Sequence, residues 1–159
     1  FKRLSINNPK LLQRTLCYHG LATFAGIILG ILLQILLDFE ITNVLLYYVS
    51  IVLIANTFVA IIELLIVNFK DIGKFIALIL LVLQLAAAGG TFPIETVTKG
   101  FRWLHPLLPM TYTIDLLRES LVTIESKLLT HNFIIVFVIF IVFFGINIAH
   151  DIIRQKKNK

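Results

Sequence analysis

Four stretches without a charged residue dominate this chain: Thr15 to Leu37, Ile41 to Ile62, Phe75 to Ile94, and Leu128 to His150. Each passes the length needed to cross a bilayer, about 20 residues at 1.5 Å rise for roughly 30 Å of hydrocarbon. Lipid offers no partner to backbone N–H and C=O groups, so a spanning stretch must bond internally as a helix or join a closed barrel. Barrel strands are shorter and alternate polar with apolar residues. Neither Ile76 to Leu85 nor Phe133 to Phe144 alternates. The expectation is an all-α, polytopic membrane helix bundle with spans at about 15–37, 44–67, 75–90 and 131–150.

Composition agrees with lipid rather than water as the surrounding medium. Of 159 residues, 58% are hydrophobic and 14% charged, whereas a soluble domain averages roughly 45–50% and about 25%. The formal charge of +5 would suit a nucleic-acid binder, but the basic residues sit beside the apolar stretches, so no nucleic-acid partner is expected. Cys17 stands alone, which excludes an internal disulfide. His19, His105, His131 and His150 are too scattered for a metal site, so no metal or cofactor is expected. Phosphate-loop, H-E-x-x-H and G-x-S-x-G signatures are absent from the sequence, and an enzyme is not expected. Any energy from ATP would come from another chain. The chain opens Phe1-Lys2-Arg3, and its first apolar stretch lacks a small-residue cleavage site. It therefore reads as a piece of a longer protein without a signal peptide.

Loop charge sets the orientation, because short positive loops stay in the cytoplasm. Lys2, Arg3, Lys10 and Arg14 precede the first span, Lys70 and Lys74 separate the second from the third, and Arg154, Lys156, Lys157 and Lys159 follow the fourth. The opposite side carries Asp38, Glu40, Glu95, Lys99, Arg102, Asp115, Arg118, Glu119, Glu125 and Lys127, a slightly acidic mixture. Both ends are thus expected inside a multi-pass cell-membrane protein, residues 1–14 as a cytoplasmic lead-in and 152–159 as a basic tail.

The outer connection, about 91–127, is long and retains too many apolar residues for disorder. Gly89 and Gly90 close the third span, and Pro93 opens a helix in which Val97, Phe101 and Leu104 recur at helical spacing. Pro106 and Pro109 break that piece. A second follows, with Ile114, Leu117, Leu121 and Val122 on one stripe and Asp115, Arg118 and Glu119 opposite. Trp103, Met110 and Tyr112 lie near the break, where aromatic residues with a polar edge suit the interface. Two readings remain open. The segment is an interfacial, amphipathic cap on the bundle, or a re-entrant hairpin that gates it, its irregular backbone buried by protein.

Few polar residues fall within the spans. Glu63 is the one acidic residue with apolar sequence on both sides, and such carboxylates mark function by default. Its place near the cytoplasmic end of its helix favours snorkelling or pairing with Lys70 or Lys74. Asn56, Gln84, Gln34 and Asn147 are expected to hydrogen-bond between helices, with substrate contact the lesser alternative. Gly26-x-x-x-Gly30 permits close helix approach. His150 and Asp151 read as boundary residues, and Cys17 as a small buried thiol or a lipidation site.

The stretch Leu83-Gln84-Leu85-Ala86-Ala87-Ala88-Gly89-Gly90-Thr91-Phe92-Pro93-Ile94-Glu95, followed by Leu104-His105-Pro106-Leu107-Leu108-Pro109-Met110-Thr111-Tyr112, resembles the C-terminal membrane region of the YhgE/Pip family. This phage-infection-protein group of Gram-positive bacteria belongs with the membrane subunits of type-2 ABC exporters, and the accessory membrane protein of type VII secretion is related to it. Gly73-Lys74-Phe75 and Leu116-Leu117-Arg118-Glu119 fit the same pattern. The resemblance implies six spans with a large extracellular domain after the first, this chain supplying the last four. It also implies a homodimer, and a separate nucleotide-binding subunit or secretion-system components as partners. On that basis the chain is expected to be a membrane-domain fragment of an exporter permease, Gly89, Gly90, Pro93, Pro106, Pro109 and Tyr112 shaping the outer hairpin. The alternative is an anchor or scaffold for an extracellular domain serving as phage receptor or type VII secretion component. A proton-coupled carrier would need titratable groups deep in the bundle, and only Glu63 approaches that.

Overall fold

A computed structural model describes residues 10–37, 41–90, 103–122 and 126–157. Its elements in chain order are α1 (Lys10–Leu37), α2 (Val44–Phe69), α3 (Asp71–Ala87), a single 3-10 turn (His105–Leu107), α4 (Pro109–Val122) and α5 (Ser126–Lys157). Among the described residues there is no strand. Three helices are long and apolar enough to span a membrane: Gln13–Leu36 within α1, Val44–Phe69 as α2, and Lys127–Ile153 within α5. This is a multi-pass membrane protein. The helix over the expected third span, α3, has 17 residues and starts at Asp71 rather than at Phe75.

Local chemistry explains where α2 begins and ends. Asn43 caps it, its side-chain oxygen accepting from the Leu46 N–H at 3.1 Å, and so satisfies one of the orphan donors of the first turn. At the far end a single residue, Lys70, separates α2 from α3. Its φ of 53° reverses the chain, while its N–H still donates to the Ile66 carbonyl at 2.8 Å. So tight a reversal brings α3 onto the backbone of α2 at Gly73. A Cβ there would lie 2.6 Å from the carbonyl carbon of Leu65 and 3.0 Å from the Ile66 Cα, which only glycine avoids.

Around α2 the other four helices pack. Helix α1 approaches along the small-residue seam, where a Cβ at Gly26 would lie 3.3 Å from Ala55 Cβ and one at Gly30 would lie 3.0 Å from Ile51 Cδ1 and Tyr48 Cε1. Dispersion between closely spaced backbones is the main attraction available to helices in lipid, so this seam has a direct energetic meaning. The buried Tyr47 hydroxyl donates to the Gly30 carbonyl across it at 3.4 Å. Leu53 of α2, Leu116 of α4 and Val136 of α5 form the apolar centre, with Ile54, Tyr112, Leu129, Phe133 and Phe140 against them. Outward faces are equally apolar, with Leu21, Phe24, Ile35, Ile72 and Phe75 more than 60% exposed. A continuous exposed surface of this kind fits hydrocarbon and not water.

Two prolines shape the segment that leads into α4. Pro106 lies in the 3-10 turn, and Pro109 opens α4, where its missing N–H costs nothing. Side chains fasten the break: Tyr112 Oη donates to the Pro106 carbonyl at 2.8 Å, and Thr111 Oγ1 to the His105 carbonyl at 2.6 Å. His105 Nδ1 donates in turn to the Ala87 carbonyl at the end of α3, at 2.9 Å. Pro93, Val97 and Phe101, and with them the first piece of the expected hairpin, lie outside the described residues.

Candidate functional site

The cluster of buried polar groups lies where α1, α2 and α5 meet. Each helix contributes a stripe at helical spacing: Thr15 and His19 on α1, Asn56 and Glu63 on α2, and Phe140, Phe144, Asn147 and Asp151 on α5. Facing stripes on three packed helices bring these groups together although they lie far apart in sequence. Thr15, Glu63 and Asp151 are 1%, 4% and 5% exposed.

Two carboxylates share one guanidinium. Arg14 Nη2 lies 3.5 Å from Glu63 Oε1 and 3.5 Å from Asp151 Oδ1. Thr15 Oγ1 donates to Glu63 Oε1 at 2.8 Å, with Asp151 Oδ2 3.5 Å away. Buried charges require such partners, because leaving water without them costs several kcal/mol or more. Arg14 remains 32% exposed, so its cation bridges the buried carboxylates and the outside.

Deeper along α2 the chemistry turns to hydrogen bonding. Asn56 Nδ2 donates to the Val52 carbonyl at 2.8 Å and to Thr23 Oγ1 at 2.9 Å. Its Oδ1 meets His19 Nδ1 at 2.7 Å. The other imidazole nitrogen, Nε2, lies 4.0 Å from Glu63 Oε2. Phe140 and Phe144 stand edge-on to the imidazole, with centroids 5.8 and 4.9 Å away. One turn further along α5, Asn147 Nδ2 donates to the Ala60 carbonyl at 2.8 Å, a further tie between α5 and α2. A cleft of about 550 Å³ between α1 and α2 has Arg14 and Glu63 in its wall. A larger apolar cleft of about 670 Å³ opens between α1, α2 and α5 beside Asn56.

The sequence-derived candidates fall into two groups. Glu63 and Asn56 belong to this cluster. Gly89, Gly90, Pro106, Pro109 and Tyr112 surround the double-proline break, Gly89 with a φ of 75°. Gln84 is buried in α3 beside Gly90 and Met110, in the wall of a third cleft and apart from the carboxylates. Pro93 lies outside the described residues.

Three expectations need correction. Glu63 neither snorkels nor pairs with Lys70 or Lys74; its partners are Arg14 and Thr15, and Lys74 Nζ binds Asp71 at 2.8 Å instead. The reason is direction: the Glu63 side chain faces α1 and α5, whose complementary groups stand opposite. Asp151 is not a boundary residue but a buried member of the cluster. Arg14, Thr15 and His19 do not stand out in the sequence. The signal lies in the i, i+4 and i, i+7 spacing of polar residues on each span. Cys17 is exposed on α1 rather than buried. Among the described residues, no group of three or more His, Cys, Asp or Glu side chains is arranged to hold a metal ion.

A family model described as ABC-2 type transporter matches residues 11–122. The chain is 38% identical over 90 residues to a protein of Bacillus subtilis (strain 168) titled "Uncharacterized protein YhgE". That stretch is 57% of this chain and 12% of the relative, so the chain spans a small part of that protein's length. No solved structure matches. With most of its length inside the match and three helices fit to cross a membrane, the chain belongs to the ABC-2 type transporter family, as a YhgE-like membrane segment.

Proposed function

We propose that this chain forms the membrane part of an exporter, that a separate nucleotide-binding subunit supplies the energy, and that α4 is the re-entrant half of a gate at the extracellular end. In this reading α3 is a fourth span and both ends face the cytoplasm, as the loop charges require.

The depth of Leu116 carries the proposal. This α4 residue is fully buried against Leu53 and Val136. Leu53 lies nine residues into α2 and Val136 ten into α5, which at 1.5 Å per residue is about 14–15 Å from their outer ends. Packing this far along two spans supports a re-entrant helix over one lying flat at the surface. The fastened break at His105, Pro106 and Tyr112 then acts as the corner on which α4 turns.

Export measured in cells carrying Pro106→Ala together with Pro109→Ala tests this. Loss of export at normal protein level is expected, and undiminished export removes the gating role. The anchor reading is separated by co-purification from the full-length protein: an ATPase subunit supports the exporter, a secretion complex the scaffold.

A further inference from the structure

The hydrogen bonds around His19 leave a proton to be placed. The Val52 carbonyl can only accept, so the Asn56 group 2.8 Å from it must be the NH₂. The Asn56 oxygen therefore faces His19 and accepts, which makes His19 Nδ1 the donor of the 2.7 Å bond. A neutral imidazole with its proton on Nδ1 has a bare lone pair on Nε2. Across from that lone pair stands Glu63 Oε2. Both atoms are buried, and neither has a hydrogen-bond partner. Two acceptors thus oppose each other at 4.0 Å, in side chains that are 10% and 2% exposed.

The balance of charge gives the same answer. The charged and titratable groups around the pair are Arg14 on α1, with Tyr18 in the same cleft wall, and Asp151 on α5. Among the described residues, no ion pair to either carboxylate comes from α3 or α4. Among the described side chains, one guanidinium thus stands against two buried carboxylates. A single added proton makes the cluster neutral and turns the opposed acceptors into a donor and an acceptor.

We propose that His19 and Glu63 together form a proton-binding site between α1 and α2, within the membrane-spanning bundle. The proton adds to Nε2 or to Oε2, no bond between heavy atoms breaks, and the result is one N–H···O or O–H···N hydrogen bond. Charge-assisted bonds of this type close to about 2.7–2.9 Å, so binding draws the two atoms together by roughly 1 Å from their present separation. Protonation thereby tightens α1 onto α2, beside the cleft that has Arg14 and Glu63 in its wall. The site stands independently of export and of the gate.

The test uses the full-length protein carrying this chain, in lipid nanodiscs. Nitrogen-labelled histidine spectra report the state of His19, assigned by its loss in His19→Gln. Infrared difference spectra report the carboxyl of Glu63, assigned by its loss in Glu63→Gln. From alkaline to acidic pH, His19 Nδ1 is expected to stay protonated while one proton per chain appears on Nε2 or on Glu63. In Glu63→Gln the new amide donates to Nε2, and His19 is expected to stay neutral throughout. Where that variant does not fold, Asn56→Ala decides: without its acceptor, His19 is free to place its own proton on Nε2 and bond Glu63, so the labelled-histidine spectrum at alkaline pH is expected to change from Nδ1–H in the native protein to Nε2–H in the variant. A neutral His19 beside an ionised Glu63 at every pH, as a bridging water would give, overturns the proposal. So does an Nε2–H tautomer of His19 in the native protein at alkaline pH, or proton uptake unchanged in folded Glu63→Gln.

Discussion

Replacing Gly73 with alanine measures how tightly α3 is held against α2. In an unconstrained helix the change is favourable by about 0.8–1 kcal/mol, the propensity difference between the two residues. Here the added carbon would lie 2.6 Å from the Leu65 carbonyl carbon and 3.0 Å from the Ile66 Cα, against an optimum of about 3.5–4.0 Å. Both are backbone atoms and cannot rotate away. The helices must part by about 1 Å, and the single link residue Lys70 has little freedom to absorb the movement. Overpacking of this kind costs about 1–3 kcal/mol. Gly145, inside α5 with nothing within 4 Å of its would-be Cβ, is the matched control, because the propensity gain cancels between the two variants. Gly145→Ala should therefore exceed Gly73→Ala in stability by about 1–3 kcal/mol. Unfolding in mixed micelles followed by circular dichroism gives both values. Equal stabilities, or a stabilised Gly73→Ala, would refute the close approach of α3.

Two further expectations concern polar contacts. Asn147→Ala removes the 2.8 Å bond to the Ala60 carbonyl, and the same micelle assay should show a loss of about 0.6 kcal/mol, the average for interhelical hydrogen bonds in membranes, and no more than about 1.7 kcal/mol. Asp71 is held below the usual carboxylate range by its hydrogen bond to Lys74, aided by the Lys74 and Lys70 charges. Its pairing therefore favours the folded state above the ordinary aspartate range and is lost as pH falls through the depressed folded value. Lys74→Met should return the Asp71 titration toward that of a free aspartate, read by carboxyl NMR; an unchanged titration would show that the pair does not form.

Charge-free stretches make α1, α2 and α5 legible in the sequence, because some twenty residues without Asp, Glu, Lys or Arg are rare outside a bilayer-spanning helix. The start of α3 is less legible. Asp71 and Lys74 sit in its first turn, and a rule that begins a span at the last charge trims such turns away. Pro106 and Pro109 announce a break, and a 3-10 turn followed by a helix start is what two prolines at that spacing permit. The buried cluster is hidden for a different reason. Arg14 and Asp151 each lie at the end of a span, where a charge normally means nothing more than contact with water. His19 reads in the sequence as one of four scattered histidines, and nothing in the order of residues marks its place opposite Asn56 and Glu63. Helical spacing puts residues on one face of one helix, but which faces meet depends on packing across the bundle, and a single sequence does not encode that pairing visibly.

Helix α3 rises about 26 Å over its 17 residues, some 4 Å less than a hydrocarbon layer of roughly 30 Å. In the four-span arrangement proposed above, the lipids beside it must shorten, tilt or give way to protein. Acyl chains that are too long then press on one flank of the bundle more than on the others. In that arrangement the packing of this flank depends on the thickness of the surrounding bilayer, and so on which lipids the cell makes.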